Sequence, residues 1–160
     1  MLECPSPYYD ISMPISPDMP IFPGDPGVET TPALAMGKGD LADVALLKMG
    51  SHTGTHIDAP AHMFPGGTTV DRLALDVLVG DAVVAEVDAP HAILPEHLEA
   101  LMLPVSTRRL LLKTWNARYW DARAFHEGFV YLTPDAARWL VDRHIELLGF
   151  DYLSIERYGA

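Results

Sequence analysis

The residues of this chain best suited to chemistry lie in one run, Ser51-His52-Thr53-Gly54-Thr55-His56-Ile57-Asp58-Ala59-Pro60-Ala61-His62, which holds three of the seven histidines and one aspartate. Imidazole nitrogen and carboxylate oxygen suit zinc, manganese and iron(II), and histidine is also the usual acid or base near neutral pH. Positions 52, 56, 58 and 62 share one parity, so an extended strand would point all four side chains the same way. A straight strand, however, sets the Cα atoms of His52 and His56 roughly 13 Å apart, at the limit of what two imidazoles can share. A helix would close that distance, but Thr53, Gly54, Thr55 and Ile57 are mediocre to poor helix formers, and Pro60 disfavours helical geometry at Ala59. The sequence therefore predicts a bent segment, kinked at Gly54. His56 and Asp58 flank one residue and can bind one ion without strain. His62 follows Pro60 at the edge of the cluster and suits a proton carrier better than a ligand. A single histidine on a polar loop more often caps backbone groups; four such residues this close together favour a metal site. Ser51 and Cys4 are weaker ideas as nucleophiles, since neither has a recognisable base and orienting partner.

The positioning elements must come from a modest chain. Its 160 residues suit a single domain with a substantial core. A formal net charge of −11 argues against non-specific nucleic-acid binding, which needs clustered Lys and Arg. With Cys4 alone there is no internal disulfide framework and no cysteine zinc site. Met1 to Pro5 lacks a basic head and an apolar run, so no secretion signal is expected. No stretch approaches the ~20 apolar residues of a membrane span. A cytoplasmic enzyme is the default expectation.

Along the chain, Tyr8 to Ser12 is a short strand candidate, and residues 13–27 form a loop rich in proline and glycine. The length of that loop suggests function. Phe22 within it can wall a substrate pocket or serve as a packing anchor. Residues 28–36 predict a strand and 37–40 a turn. Ala42 to Met49 predicts a buried strand leading into the histidine run. Pro65-Gly66-Gly67 marks a turn; Val77 to Val79 and Ala82 to Val87 look like strands. A short helix is expected over 95–101, with Pro95 in its first turn. Arg109 to Lys113 is a strand. Thr133-Pro134 opens the clearest helix, expected to run to about Leu148 and stop at Gly149, with Ala137, Leu140, Val141, Leu147 and Leu148 on one face. His144 lies near that face as a packed or surface histidine. Phe150 to Ile155 is the last predicted strand. Interleaved strands and helices indicate an α/β domain with a mixed sheet.

The run His52 to His62 resembles the signature of the cyclase-type metal hydrolases, which include bacterial kynurenine formamidase and isatin hydrolase. Asp10 to Asp25 looks like that family's N-terminal loop, and Phe129 to Leu140 like the entry to its long helix. The resemblance covers most of the chain, and the histidine motif is its specific part. It implies a swivelling β/β/α-type fold, one or two zinc ions (alternatively manganese) per subunit, and hydrolysis of a small aromatic amide such as N-formylkynurenine. By motif position His52, His56 and Asp58 would be metal ligands, with Asp58 able to bridge two ions. His62 would be the catalytic proton carrier. Phe22 falls where kynurenine formamidases carry a tryptophan in the substrate pocket, which keeps an aromatic wall but weakens the case for that substrate. The family suggests a homodimer or higher homo-oligomer.

The family also draws a further histidine and a glutamate from beyond a segment like Asp151 to Ala160. On this reading the chain is a truncated member that would hold one ion weakly, or none. Two rival readings stand beside it. His56-Ile57-Asp58 also suits a non-haem iron oxygenase, with His91, His97, His126 or His144 as a distal ligand, though this leaves His52 and His62 unexplained. A degenerate, non-catalytic metal- or ligand-binding domain is the other.

Overall fold

The computed structural model describes residues 9–160. Cys4, the N-terminal segment tested for a signal, and Tyr8 lie outside the described residues. The chain divides into two compact units: one from the segment ending at Asp18 together with Pro26–Asp58, the other from Met19–Asp25 together with Ala59–Ala160. Among the described residues no helix is long and apolar enough to cross a membrane.

The first unit is built on a two-stranded antiparallel ribbon. Strand β1 (Glu29–Leu34) pairs with β2 (Val44–Lys48), setting Glu29 opposite Lys48 and Thr31 opposite Leu46. The connection is a tight turn at Met36–Lys38, closed by Gly39 at φ 96°. Asp40 and Asp43 accept the amides of Ala35 and Met36 and tie that turn together. The ribbon departs from expectation in one respect. Its second strand, expected to be buried, is exposed along its whole length, and among the described residues β1 is its one strand neighbour. The strand expected over Tyr8 to Ser12 does not form across its described part. Instead the Asp10 carboxylate accepts the Ser12 amide at 2.9 Å, a local turn that competes with strand pairing. That bond holds the Asp10 carboxyl below its usual range.

The second unit carries the core. After a one-turn helix α1 (Leu75–Leu78) come β3 (Val83–Glu86), β4 (Ala92–Ile93), α2 (Pro95–Glu99), β5 (Arg109–Lys113), β6 (Tyr131–Leu132), α3 (Pro134–Asp142) and β7 (Leu147–Phe150). Strands β3, β5 and β7 form a parallel sheet in that order, and β4 pairs parallel with β6. Parallel neighbours need long crossovers, and α2 and α3 lie in those connections. Leu110 and Leu112 of β5 pack with Ile93, Leu98, Leu132 and Leu140 into one buried cluster. The buried Arg109 guanidinium satisfies the backbone carbonyls of Asp76, Val77 and Asp81 around α1. This is why Val77, expected in a strand, sits in a helical turn instead.

Helix α3 starts as expected, with the Thr133 hydroxyl accepting the Ala136 amide and Pro134 in the first turn. It ends at Asp142, six residues earlier than the apolar pattern suggested. His144 takes a left-handed φ of 57° and ends the helix, and Leu147 to Phe150 become β7. Gly149 is therefore a strand residue, and a Cβ there would lie 2.3 Å from Leu111 Cδ2 on the adjoining strand. Val141, placed on the apolar face by its spacing, is 71% exposed. The final strand expected over 150–155 ends at Phe150.

The carboxyl ends of the parallel strands are latched by polar bonds. Asp151 accepts the Thr114 amide at 2.6 Å and its hydroxyl at 2.8 Å, and Trp115 Nε1 donates to Asp88 at 3.0 Å. Asn116 is fully buried, donating to the Val130 carbonyl at 2.8 Å and accepting the Val130 amide at 2.7 Å. Asn116→Ala leaves both backbone groups of Val130 without these partners. It should lower unfolding free energy by about 2–4 kcal/mol in a denaturant titration; a change within about 0.5 kcal/mol would contradict this role. Burial also raises the Tyr152 phenol above its ordinary value. Below an ordinary tyrosine pKa of about 10 both folded and unfolded phenols are protonated, so the group is neutral in its effect there. As pH rises above that value the unfolded phenol ionises first and stability falls. Thermal unfolding of Tyr152→Phe should thus lose less stability between pH 9 and 11, roughly, than the parent chain does.

Candidate metal centre

The chain leaves β2 at Lys48 and reaches a bend centred on Gly54, whose φ is 69°. This is the left-handed region, where a side chain is strained. Space is short as well, since a Cβ on Gly54 would stand 3.1 Å from Ile15 Cγ1. Nearby, the Thr55 hydroxyl accepts the Met13 amide at 2.9 Å, pinning the N-terminal loop against the bend. Residues 51–58 form neither helix nor strand. The bent segment expected from composition is the one that forms.

The bend brings three donor atoms together. His52 Nδ1 lies 2.6 Å from Asp58 Oδ1 and 3.1 Å from His56 Nε2, and His56 Nε2 lies 3.2 Å from Asp58 Oδ1. Among the described residues, this is the one group of three or more His, Cys, Asp or Glu side chains placed to hold a metal ion. Three ligands on one face of an octahedron with bonds of about 2.1 Å stand about 3.0 Å apart, and in a tetrahedron about 3.4 Å. The observed separations bracket the first value and fall below the second. The donor set therefore fits a borderline divalent ion. His56 Nδ1 donates to the Gly54 carbonyl at 2.8 Å, which fixes the ring and leaves Nε2 as the atom with the lone pair. A lone pair and a carboxylate oxygen this close repel unless a positive charge lies between them. A proton on His52 Nδ1 supplies that charge in one state, and a divalent ion can supply it in another.

His62 is not one of the converging donors. It closes a short 3-10 turn, Pro60–His62, in the second unit, with its amide bonded to the Ala59 carbonyl at 2.8 Å. Phe22 is half-buried in the second unit, meeting Phe125 edge-on at 5.2 Å between ring centres and Tyr158 at 6.1 Å. Phe125 and Tyr158 were not singled out in the sequence, because isolated aromatics in irregular segments carry no periodicity. The Gly54 carbonyl was also missed as the anchor of His56, although its position two residues upstream in a tight turn is a recognisable signal.

Of the histidines considered as distal iron ligands, His97 and His126 have side-chain partners. His97 Nδ1 accepts the Leu94 amide at 2.9 Å and caps α2. His126 stacks on Tyr119 at 3.9 Å. The His91 carbonyl accepts the Tyr131 amide, and His144 ends α3.

The bend yields a direct prediction. Gly54→Val forces a branched side chain into the left-handed region, a cost of at least about 1–2 kcal/mol. Zinc affinity measured by calorimetry should fall tenfold or more, while Gly37→Ala, in open space, leaves it unchanged. Equal affinity in both variants would show that the bend does not assemble the donors.

The Cyclase family model matches residues 9–157. Cyclase-like protein 2 of Arabidopsis thaliana is 36% identical over 94% of this chain and 58% of its own length. Cyclase-like protein 1 of Oryza sativa subsp. japonica is 36% identical over 93% of this chain and 58% of its own. The chain thus spans a little over half the length of these curated relatives. Two solved structures superpose closely. A "Potential Metal-Dependent Hydrolase With Cyclase Activity" gives a TM-score of 0.76 at 32% identity over 94% of this chain and 70% of that one. A predicted metal-dependent hydrolase from Bacillus stearothermophilus gives 0.75 at 33% identity over 94% and 71%. The α/β fold expected from the sequence is the fold of these neighbours, and with the family model matching nearly its whole length, the chain belongs to the Cyclase family.

Proposed function

We propose that this chain is the metal-binding part of a hydrolase that cleaves a carbon–nitrogen amide bond, an arylformamidase acting on N-formylkynurenine or a similar aryl amide. The observation that carries this reading is the convergence of His52 Nδ1, His56 Nε2 and Asp58 Oδ1 within 2.6–3.2 Å of one another. Those three side chains would hold the ion, zinc or alternatively manganese. When bound, the ion supplies Lewis acidity toward water and toward a carbonyl oxygen.

The remaining work falls to the chain. The Gly54 carbonyl orients His56 through its Nδ1–H. His62, four residues beyond Asp58, takes the proton released as water adds to the amide carbon and returns it to the departing nitrogen. General acid–base transfer of this kind contributes typically 10²–10⁴ in rate. Phe22, braced by Phe125 and Tyr158, offers a ring surface to an aryl leaving group. Two imidazoles and a carboxylate also suit iron(II), so oxygen-dependent turnover with iron would favour an oxygenase instead.

The test is formanilide and N-formylkynurenine hydrolysis after zinc or manganese loading, with metal content measured in parallel. His62→Ala should lower kcat by about 10²–10⁴ with metal stoichiometry intact. Loss of metal in that variant would make His62 a ligand, and unchanged kcat would remove it from the reaction.

A further inference from the structure

The backbone at Gly54 and Thr55 is gripped from two sides. On one side the Gly54 carbonyl accepts His56 Nδ1–H at 2.8 Å and so sets the direction of His56 Nε2, one of the three converging donors. On the other, the Thr55 hydroxyl accepts the Met13 amide at 2.9 Å, across 42 residues of sequence. Gly54 is buried although Thr55, Ile57 and Asp58 beside it are exposed. Ile15 lies over it, with Cγ1 only 3.1 Å from where a Cβ on Gly54 would stand.

The segment that makes both contacts is short and locally stiffened. It opens where the Asp10 carboxylate accepts the Ser12 amide at 2.9 Å, is anchored at Met13, and passes Pro14 before reaching Ile15. Proline fixes its own φ, so the anchor and the apolar wedge keep a set spacing. Residues 10–15 thus form a strap across the bend. Neither the strap nor residues 51–58 belong to a helix or a strand. Backbone of this kind opens locally at low cost unless side chains hold it, and here each segment holds the other.

Resting on the reading of the bend as a metal centre, we propose that Thr55 and Ile15 are positioning residues of that centre, which makes ion occupancy and the order of the strap two sides of one equilibrium. The strap fixes the backbone at Gly54 and Thr55, that backbone fixes the His56 ring, and the ring offers Nε2 to the ion. Such coupling is reciprocal: the factor by which the strap tightens the ion is the factor by which the ion tightens the strap. The bond from Met13 to Thr55 is a single neutral hydrogen bond, which corresponds to a change of about 2–10-fold in an equilibrium constant.

Zinc affinity of the full chain, measured by competition with a chromophoric chelator, should fall about 2–10-fold in Thr55→Val, which keeps the side-chain shape and loses the acceptor. Thr55→Ser keeps the acceptor and should restore the parent affinity. Ile15→Ala should weaken binding in the same direction. Amide exchange followed by NMR supplies a readout that a general loss of stability would not move. Zinc should slow exchange of the Met13 amide in the parent chain but not in Thr55→Val, and should leave the Ala35 amide, tied to Asp40 in the turn of the ribbon, unchanged. Equal zinc affinity in Thr55→Val and the parent, or Met13 exchange indifferent to zinc, would overturn the proposal while leaving the metal centre in place. A parent chain that binds no zinc would overturn the metal reading together with it.

Discussion

Everything at the candidate centre depends on crowding two imidazole nitrogens and a carboxylate oxygen into a space that repels them unless a positive charge lies between. Electron-rich atoms 2.6–3.2 Å apart are stable only when a proton or a cation is shared among them. The backbone meets the cost of that arrangement locally. Gly54 adopts a conformation that strains other residues, Thr55 ties the bend to Met13, and Ile15 fills the space beside it. The His56 ring is held from behind by a backbone carbonyl, so its outward nitrogen is committed before any ion arrives.

The second unit supplies a different kind of order. A parallel sheet needs both long crossovers and a covered face, and α2 and α3 serve both needs over the Ile93, Leu98, Leu110 and Leu140 core. Its carboxyl ends are also held by hydrogen bonds of Asp88, Asp151 and Asn116. The aromatic group of Phe22, Phe125, Phe129, Tyr152 and Tyr158 is packed ring against ring. Phe22 thus has a structural reason to be aromatic, and any contact with substrate would use a ring already fixed in place.

Much of the centre was legible in the chain. His52 and His56 stand at a spacing that a straight strand can barely serve, and the residues between them disfavour the helix that would serve it, so spacing and composition together pointed to a bend at Gly54. Strong local signals also placed β3, β5 and the start of α3, where a hydroxyl cap precedes a proline. The errors have physical causes. The end of α3 was misplaced because Leu147 and Leu148 keep helical spacing with Leu140, while sheet pairing to β5 overrides that spacing. Strand β2 looked buried because its composition is that of a covered strand, whereas the exposure depends on what lies against it. The aromatic neighbours of Phe22 come from segments far apart in sequence, and no local pattern announces them.

The central claim is that the bend forms a binding site for one divalent ion through two imidazoles and a carboxylate. X-ray absorption spectroscopy of the zinc-loaded chain tests it most directly. The account predicts a first shell of nitrogen and oxygen at about 2.0–2.1 Å, with outer-shell scattering from two imidazole rings that falls to one in His56→Ala. A first shell containing sulfur, or an imidazole signal unchanged by that substitution, would contradict it.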